Sequence, residues 1–283
     1  MSYYHAKPKR LLTEVSLQDA NAPLTGGYCA GFELKAWRCN QLADHFIEWL
    51  ADYALKEDEL SVDHVNMYVK LRQAAARIYK SEKYKKRGEV GEIALHAICR
   101  EFFSTIPISP RVFYLTSSNE VVKSFDLVHV RYIGDNPELW LGEAKFFEDR
   151  GKAVAAAIKS VREHIDQGFL QNEKLILGPQ ISRNIPHYQE IRDLLSSESS
   201  LDSLFSSAVF PICIAADSDV TSAAHAIDDS YREGIREEAA ALAQAIEDSG
   251  LLTAIRIVLI YLPLGSKSQL ADAFDLRLKG LNP

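Results

Sequence analysis

Three residues in one short stretch have the types and spacing to do chemistry together. Residues 124–147 read SFDLVHVRYIGDNPELWLGEAKFF and carry Asp126, Glu143 and Lys145. The alternation of the stretch predicts two adjacent strands, with Gly134, Asp135, Asn136 and Pro137 supplying turn chemistry between them. Residues two apart on a strand share a face, so Glu143 and Lys145 point the same way, and the hairpin folds Asp126 back toward them. Two carboxylates form a hard oxygen site for Mg2+ or Mn2+. Such a metal activates water and stabilises charge on a phosphate, while an adjacent ammonium orients the attacking water and stabilises the transition state. A Glu-x-Lys on a solvated strand face is ordinary. Here the flanks are Leu139, Trp140, Leu141, Phe146 and Phe147. Charges inside such an apolar run are expensive unless paired or metal-bound.

The elements that must position these residues lie on both sides. Over 88–99 the pattern GEVGEIALHAIC predicts a helix with an apolar stripe of Ile93, Ala94, Ala97 and Ile98. Gly88 and Gly91 permit close backbone approach. Glu89 and Glu92 are three apart and fall on one side of that helix. First-turn acids also complement the helix dipole. Strands are expected over 111–116, 124–132 and 138–147. A helix over 152–167 then follows, with Ala153, Ala156, Ala157, Ile158, Val161 and Ile165 facing inward. His129 falls on the opposite parity from Asp126 and reads as structural. Lys159, Lys174 and Gln167 lie where they could line the site, but their spacing is not diagnostic.

Ahead of the 88–99 helix, residues 70–87 hold Lys70, Arg72, Arg77, Lys80, Lys83, Lys85, Lys86 and Arg87 against a single Glu82, with Tyr79 and Tyr84 interleaved. Lys80, Lys83, Lys85, Lys86 and Arg87 are the candidates for a DNA phosphate track; a solvated helix face is the plainer alternative. The chain as a whole has a net charge of −7, which argues against a free-standing general DNA binder and leaves room for a local basic patch or a partner.

The remaining chain is organised around further strands and helices. Residues 11–17 and 28–37 read as strands around a Gly26–Gly27 turn, and 42–54 and 63–79 as amphipathic helices. Apolar runs over 209–215 and 253–262 predict buried strands, with a helix over 226–249 between them stopped by Gly250, and a closing helix over 270–278. Residues 185–195 look helical, and the serine-rich 196–207 reads as a loop or short helix. No apolar stretch approaches the length of about eighteen residues that a membrane helix needs. The basic N-terminus has no apolar segment behind it, and Cys29, Cys39, Cys99 and Cys213 form no CxxC pair. A reducing cytoplasm is expected. Without a P-loop, any ATP-driven step would need a partner.

An Asp, a gap, then Glu-x-Lys resembles the PD-(D/E)xK nuclease superfamily, with Phe125 at the variable position where its name has Pro. The order helix, three strands, helix matches that core. The resemblance implies a mixed α/β fold: a restriction-endonuclease-like core, with a central mixed sheet flanked by helices. The expected division is an N-terminal strand and helix elaboration over 1–65 and a nuclease-like domain over 66–283, with a strand-helix-strand extension at its end. The superfamily also places a metal-assisting acid on the helix before the strands, a role that falls to Glu92, with Glu89 as the fallback. More narrowly, the basic run leading into GEVGEIAL, the SFDLVHV strand and the GEAKFF strand followed by an Ala-rich helix are similar to the HamA effector family of the Hachiman anti-phage systems. That similarity implies a cytoplasmic, Mg2+- or Mn2+-dependent DNA nuclease of little sequence preference, restrained by a HamB-like helicase partner until foreign or damaged DNA is sensed. Asp126, Glu143, Lys145 and Glu92 are then the catalytic set. A catalytically inactive DNA-binding or regulatory subunit of a helicase complex is the competing expectation.

Overall fold

The computed structural model describes residues 6–19, 23–78, 88–108, 125–196 and 198–281. The strand expected over 111–116 and the basic residues Lys80, Lys83, Lys85, Lys86 and Arg87 lie outside them.

The chain opens with β1 (Thr13–Gln18) and β2 (Leu24–Cys29), an antiparallel pair. The turn expected at Gly26–Gly27 is instead the middle of β2, and of the strand expected over 28–37 only Tyr28 and Cys29 belong to it before a tight hairpin, β3 (Phe32–Glu33) and β4 (Ala36–Trp37), turned at Leu34 and Lys35 with φ of 48° and 66°. The helix expected over 42–54 is two: α1 (Cys39–Glu48) and α2 (Leu50–Ala54), joined through the fully buried Trp49. Next come α3 (Met67–Ile78), α4 (Gly88–Phe102) and the short β5 (Ile106–Pro107). The hairpin of β6 (Leu127–Ile133) and β7 (Asn136–Phe147) then pairs from Ile133↔Asn136 to Leu127↔Gly142. Its two-residue connection begins at Gly134 with φ of +61°, where glycine carries no steric penalty.

Four helices follow β7: α5 (Arg150–His164), α6 (Gln167–Leu177), α7 (Tyr188–Leu194) and α8 (Leu201–Ser207). Asp149 caps α5 by accepting from the Lys152 amide at 2.7 Å. The serine-rich stretch resolves into α8, because Ser200 accepts from the Ser203 amide and starts a helix there. The end of the chain is β8 (Ala208–Asp217), α9 (Asp219–Ala223), α10 (Asp229–Asp248), β9 (Arg256–Leu264) and α11 (Lys267–Leu281). Gly250, with φ of +75°, stands just past α10, as the sequence pattern predicts.

One seven-stranded mixed sheet, in the order β1-β2-β9-β8-β7-β6-β5, runs through the fold with helices on both faces. The pairs β2/β9, β9/β8 and β8/β7 are parallel; the flanking pairs are antiparallel. β8 and β9 are buried on both faces, which accounts for their unbroken apolar runs. One core layer joins Phe46, Trp49, Ile93, Ile98 and Phe274 from the helices to Trp140, Ala144, Phe146 and Ile260 from the sheet. The other joins Ala157, Val161, Ile235 and Leu242 to Leu141, Ile212 and Leu259. Thus α4 covers one face of β7 and α5 the other. Among the described residues, no helix is long and apolar enough to cross a membrane.

Candidate active site

The site is built just ahead of the first residue of β6, alongside the later half of β7. The regular ladder ends at Leu127↔Gly142. Beyond it the Asp126 amide donates to the Gly142 carbonyl at 2.9 Å, and the Ala144 amide donates to Asp126 Oδ2 at 2.8 Å. The Asp126 carboxylate is thereby fixed on the amide of Ala144, the one residue between Glu143 and Lys145. Its charge reaches Cys213, the cross-strand partner of Ala144, whose thiol is pushed up by burial first and then by Asp126.

Glu143 and Lys145 alternate with Ala144 and Phe146, so their side chains leave the α4 layer and point toward α5. Lys145 Nζ lies 2.5 Å from Glu143 Oε1 and 3.1 Å from Ser160 Oγ. On the other oxygen of Glu143, Oε2, His164 Nδ1 approaches to 3.2 Å, close enough for an ion pair but out of line for a hydrogen bond. Glu143 is only 4% exposed. Burial is the largest influence on its carboxyl and opposes ionisation, yet His164 and the Lys145 ammonium together outweigh it and hold the group below the usual carboxylate range. The outcome is a buried ion pair whose carboxylate is engaged from both sides.

Glu92 sits on α4, where its Oε2 accepts from the Tyr53 hydroxyl of α2. Gly91 beside it fulfils the close-approach expectation: a Cβ there would meet Phe146 Cβ at 3.1 Å. Gly88 does not, having nothing within 4 Å. Lys159 is exposed, and Lys174 donates instead to the carbonyl and hydroxyl of Ser199, both at 2.6 Å.

Sequence reasoning missed Ser160 and His164. A signal was available: the buried stripe of α5 is Ala153, Ala157 and Val161, and its next member, three residues on, is His164. It also missed a second buried polar chain behind α4. Asp52 Oδ1 lies 2.7 Å from His96 Nε2, His96 Nδ1 lies 3.1 Å from His129 Nε2, and His129 Nδ1 lies 2.8 Å from Thr105 Oγ1. Arg100 clamps both oxygens of Asp52 at 3.1 and 3.3 Å and donates to the Thr105 carbonyl at 2.8 Å. His129 is thus held inside the fold, as its structural reading expects.

The donor chemistry of Asp126 and Glu143 suits a hard divalent cation. Both are buried carboxylates, and Glu143 Oε2 is a buried acceptor without an aligned hydrogen bond. Among the described residues, no group of three or more His, Cys, Asp or Glu is arranged to hold a metal ion.

Comparison with known proteins adds a family. The family model described as HamA matches residues 8–278. The chain is also similar to a protein named anti-bacteriophage protein A from Escherichia coli (strain K12), 22% identical over a 258-residue alignment that covers 88% of this chain. The aligned region spans 46% of that protein, so this chain corresponds to about half the length of its relative. No solved structure matches.

Proposed function

The chain belongs to the HamA family, and from that premise we propose that it is the nuclease effector of a bacterial anti-phage defence system. In this reading it hydrolyses DNA phosphodiesters with little sequence preference, depends on Mg2+ or Mn2+, and acts in the cytoplasm with a restraining, ATP-dependent HamB-like helicase. The defence role is supported by the family and by the name of the E. coli relative. The nuclease chemistry is carried by one observation: a buried Glu143 paired with Lys145, with Asp126 bonded to the amide of Ala144 between them.

Asp126 and Glu143 would hold the cation; Glu92, the expected helper, sits on α4 and so on the other face of β7 from the Glu143 and Lys145 side chains. Bound there, the cation would supply activation of water and neutralisation of charge on the scissile phosphate. The rest falls to the protein. An ammonium has three donors, and Lys145 directs two of them at Glu143 and Ser160. Its third can orient a nucleophilic water or a phosphate oxygen. Tyr53 donates to the Glu92 carboxylate and holds it on the α4 side. The backbone amide of Ala144 fixes Asp126 in the same way.

The test is plasmid degradation by the wild-type chain, Glu143→Ala and Lys145→Ala, with Mg2+ or Mn2+, and with and without the helicase subunit and ATP. Both variants are expected to stay folded and to lose cleavage by at least about 100-fold, the scale of losing one electrostatic stabiliser. Cleavage undiminished in both variants would remove the reading. A second reading, an inactive DNA-binding subunit, is favoured by the commitment of an Asp126 oxygen to a backbone amide and by the lack of a three-ligand group among the described residues. It predicts no metal-dependent cleavage by the wild type under any of these conditions.

A further inference from the structure

Resting on that reading, we propose that Ser160 and His164 are positioning residues that set the geometry of the Glu143–Lys145 pair. They lie four apart on α5, so both project from one side of the helix onto β7. Each touches a different member of the pair: Ser160 Oγ is 3.1 Å from Lys145 Nζ, and His164 Nδ1 is 3.2 Å from Glu143 Oε2. A Lys and a Glu two apart on a strand would otherwise answer only to each other, and both side chains rotate freely. Ser160 supplies a second acceptor that fixes the direction of the ammonium. His164 occupies the far side of the carboxylate and fixes its plane.

His164 also reaches the other acid. Its ring stacks edge-on against Phe125 at 4.9 Å between centroids, and Phe125 immediately precedes Asp126. One buried imidazole thus braces the carboxylate on β7 and the segment carrying the carboxylate before β6. Partners of this kind orient the groups that bind metal and substrate without binding either themselves. A plainer role, satisfying buried polar atoms for stability alone, makes different predictions.

The experiment uses the full chain as wild type, Ser160→Ala, His164→Ala and His164→Gln. Mn2+ affinity is read by calorimetry, cleavage of supercoiled plasmid at saturating Mn2+ under the condition where the wild type cleaves fastest, and folding by thermal melts. Ser160→Ala is expected to keep the melting temperature, the Mn2+ affinity and KM, and to lose about 10-fold in kcat, because it misdirects only the lysine. His164→Ala is expected to weaken Mn2+ binding by about 10- to 100-fold, with His164→Gln recovering most of it through its own amide donor. If the wild type binds Mn2+ and cleaves, but Ser160→Ala keeps the wild-type kcat or His164→Ala keeps the wild-type Mn2+ affinity, this inference fails while the nuclease reading stands. If His164→Ala does not fold, the Ser160→Ala rate and the affinity of His164→Gln decide. There, a wild-type rate in the first or no Mn2+ binding in the second overturns it. A wild type that neither binds Mn2+ nor cleaves brings down the nuclease reading and this inference together.

Discussion

At the scale of single residues, the buried chain behind α4 fixes its own protonation. An ionised Asp52 can only accept, and Arg100 together with His96 holds its carboxyl below the usual range against the burial that would raise it. His96 must therefore carry its proton on Nε2, leaving Nδ1 to accept from His129 Nε2, whose own Nδ1 accepts from the Thr105 hydroxyl. Every bond in the chain is satisfied with both imidazoles neutral. Burial pushes both histidines below their ordinary value, His129 furthest because His96 and Arg100 add to it. The sign follows directly. Below about pH 6.5 the unfolded chain takes up protons on these histidines that the folded chain refuses, so stability falls as pH falls. The slope approaches about 1.4 kcal/mol per pH unit for each histidine, and the carboxylates Asp52 and Glu143 add to it only below their unfolded values near pH 4. Urea midpoints measured from pH 7.5 to 5 should drop along this slope, and His129→Gln should shed about half of it. A wild-type midpoint flat down to pH 5 would contradict the assignment of neutral, buried imidazoles.

At the scale of elements, the site depends on how closely α4 and β8 approach β7. Gly142, next to Glu143, is enclosed on three sides. A Cβ there would meet Leu95 Cδ2 at 2.9 Å, Leu127 Cβ at 3.0 Å and Pro211 Cγ at 3.1 Å. With neighbours from α4, β6 and β8, no single shift relieves the crowding, so Gly142→Ala should destabilise by about 1–3 kcal/mol. Gly88→Ala, in open space, should stay within about 0.5 kcal/mol of wild type. Thermal melts of the two variants separate the cases, and equal melting temperatures would refute the packing argument.

The same elements show what could be read from the chain. The hairpin of β6 and β7, α4, α5, β8, α10 and β9 were legible because hydrophobic period, Gly134 and Gly250 all pointed one way. The hairpin of β3 and β4 was not, since its turn uses Leu34 and Lys35 at positive φ, against local preference. In the site, Glu143 and Lys145 were legible because strand parity alone brings them together. Tyr53, Ser160 and His164 were not, because their contacts depend on how helices pack over the sheet, and no spacing along the chain encodes that. The bonding of Asp126 to a backbone amide was hidden for a similar reason: it arises from where the regular ladder of β6 happens to begin.

At the scale of the whole molecule, a net charge of −7 works against a polyanion at long range, so any affinity for DNA has to come from a local field. The described cations of the basic run are partly committed within the fold. Arg77 grips both oxygens of Glu59 at 2.7 and 2.5 Å, and Arg72 donates to the Leu281 carbonyl at 3.2 Å. Lys80, Lys83, Lys85, Lys86 and Arg87, which precede α4 in the sequence, are the proposed source of such a field. Phosphate contacts release counterions, and each lowers the slope of log affinity against log salt by about 0.9 on duplex DNA. Lys83→Gln, Lys85→Gln and Lys86→Gln combined should therefore weaken binding of a labelled duplex and flatten that slope by about 2–3. Glu143→Ala should leave the slope unchanged, because it removes no phosphate contact. Anisotropy titrations across a salt series read both. An unaltered slope in the triple variant would move the DNA track elsewhere, and with an acidic chain the natural place to look is the surface of a partner that loads the DNA.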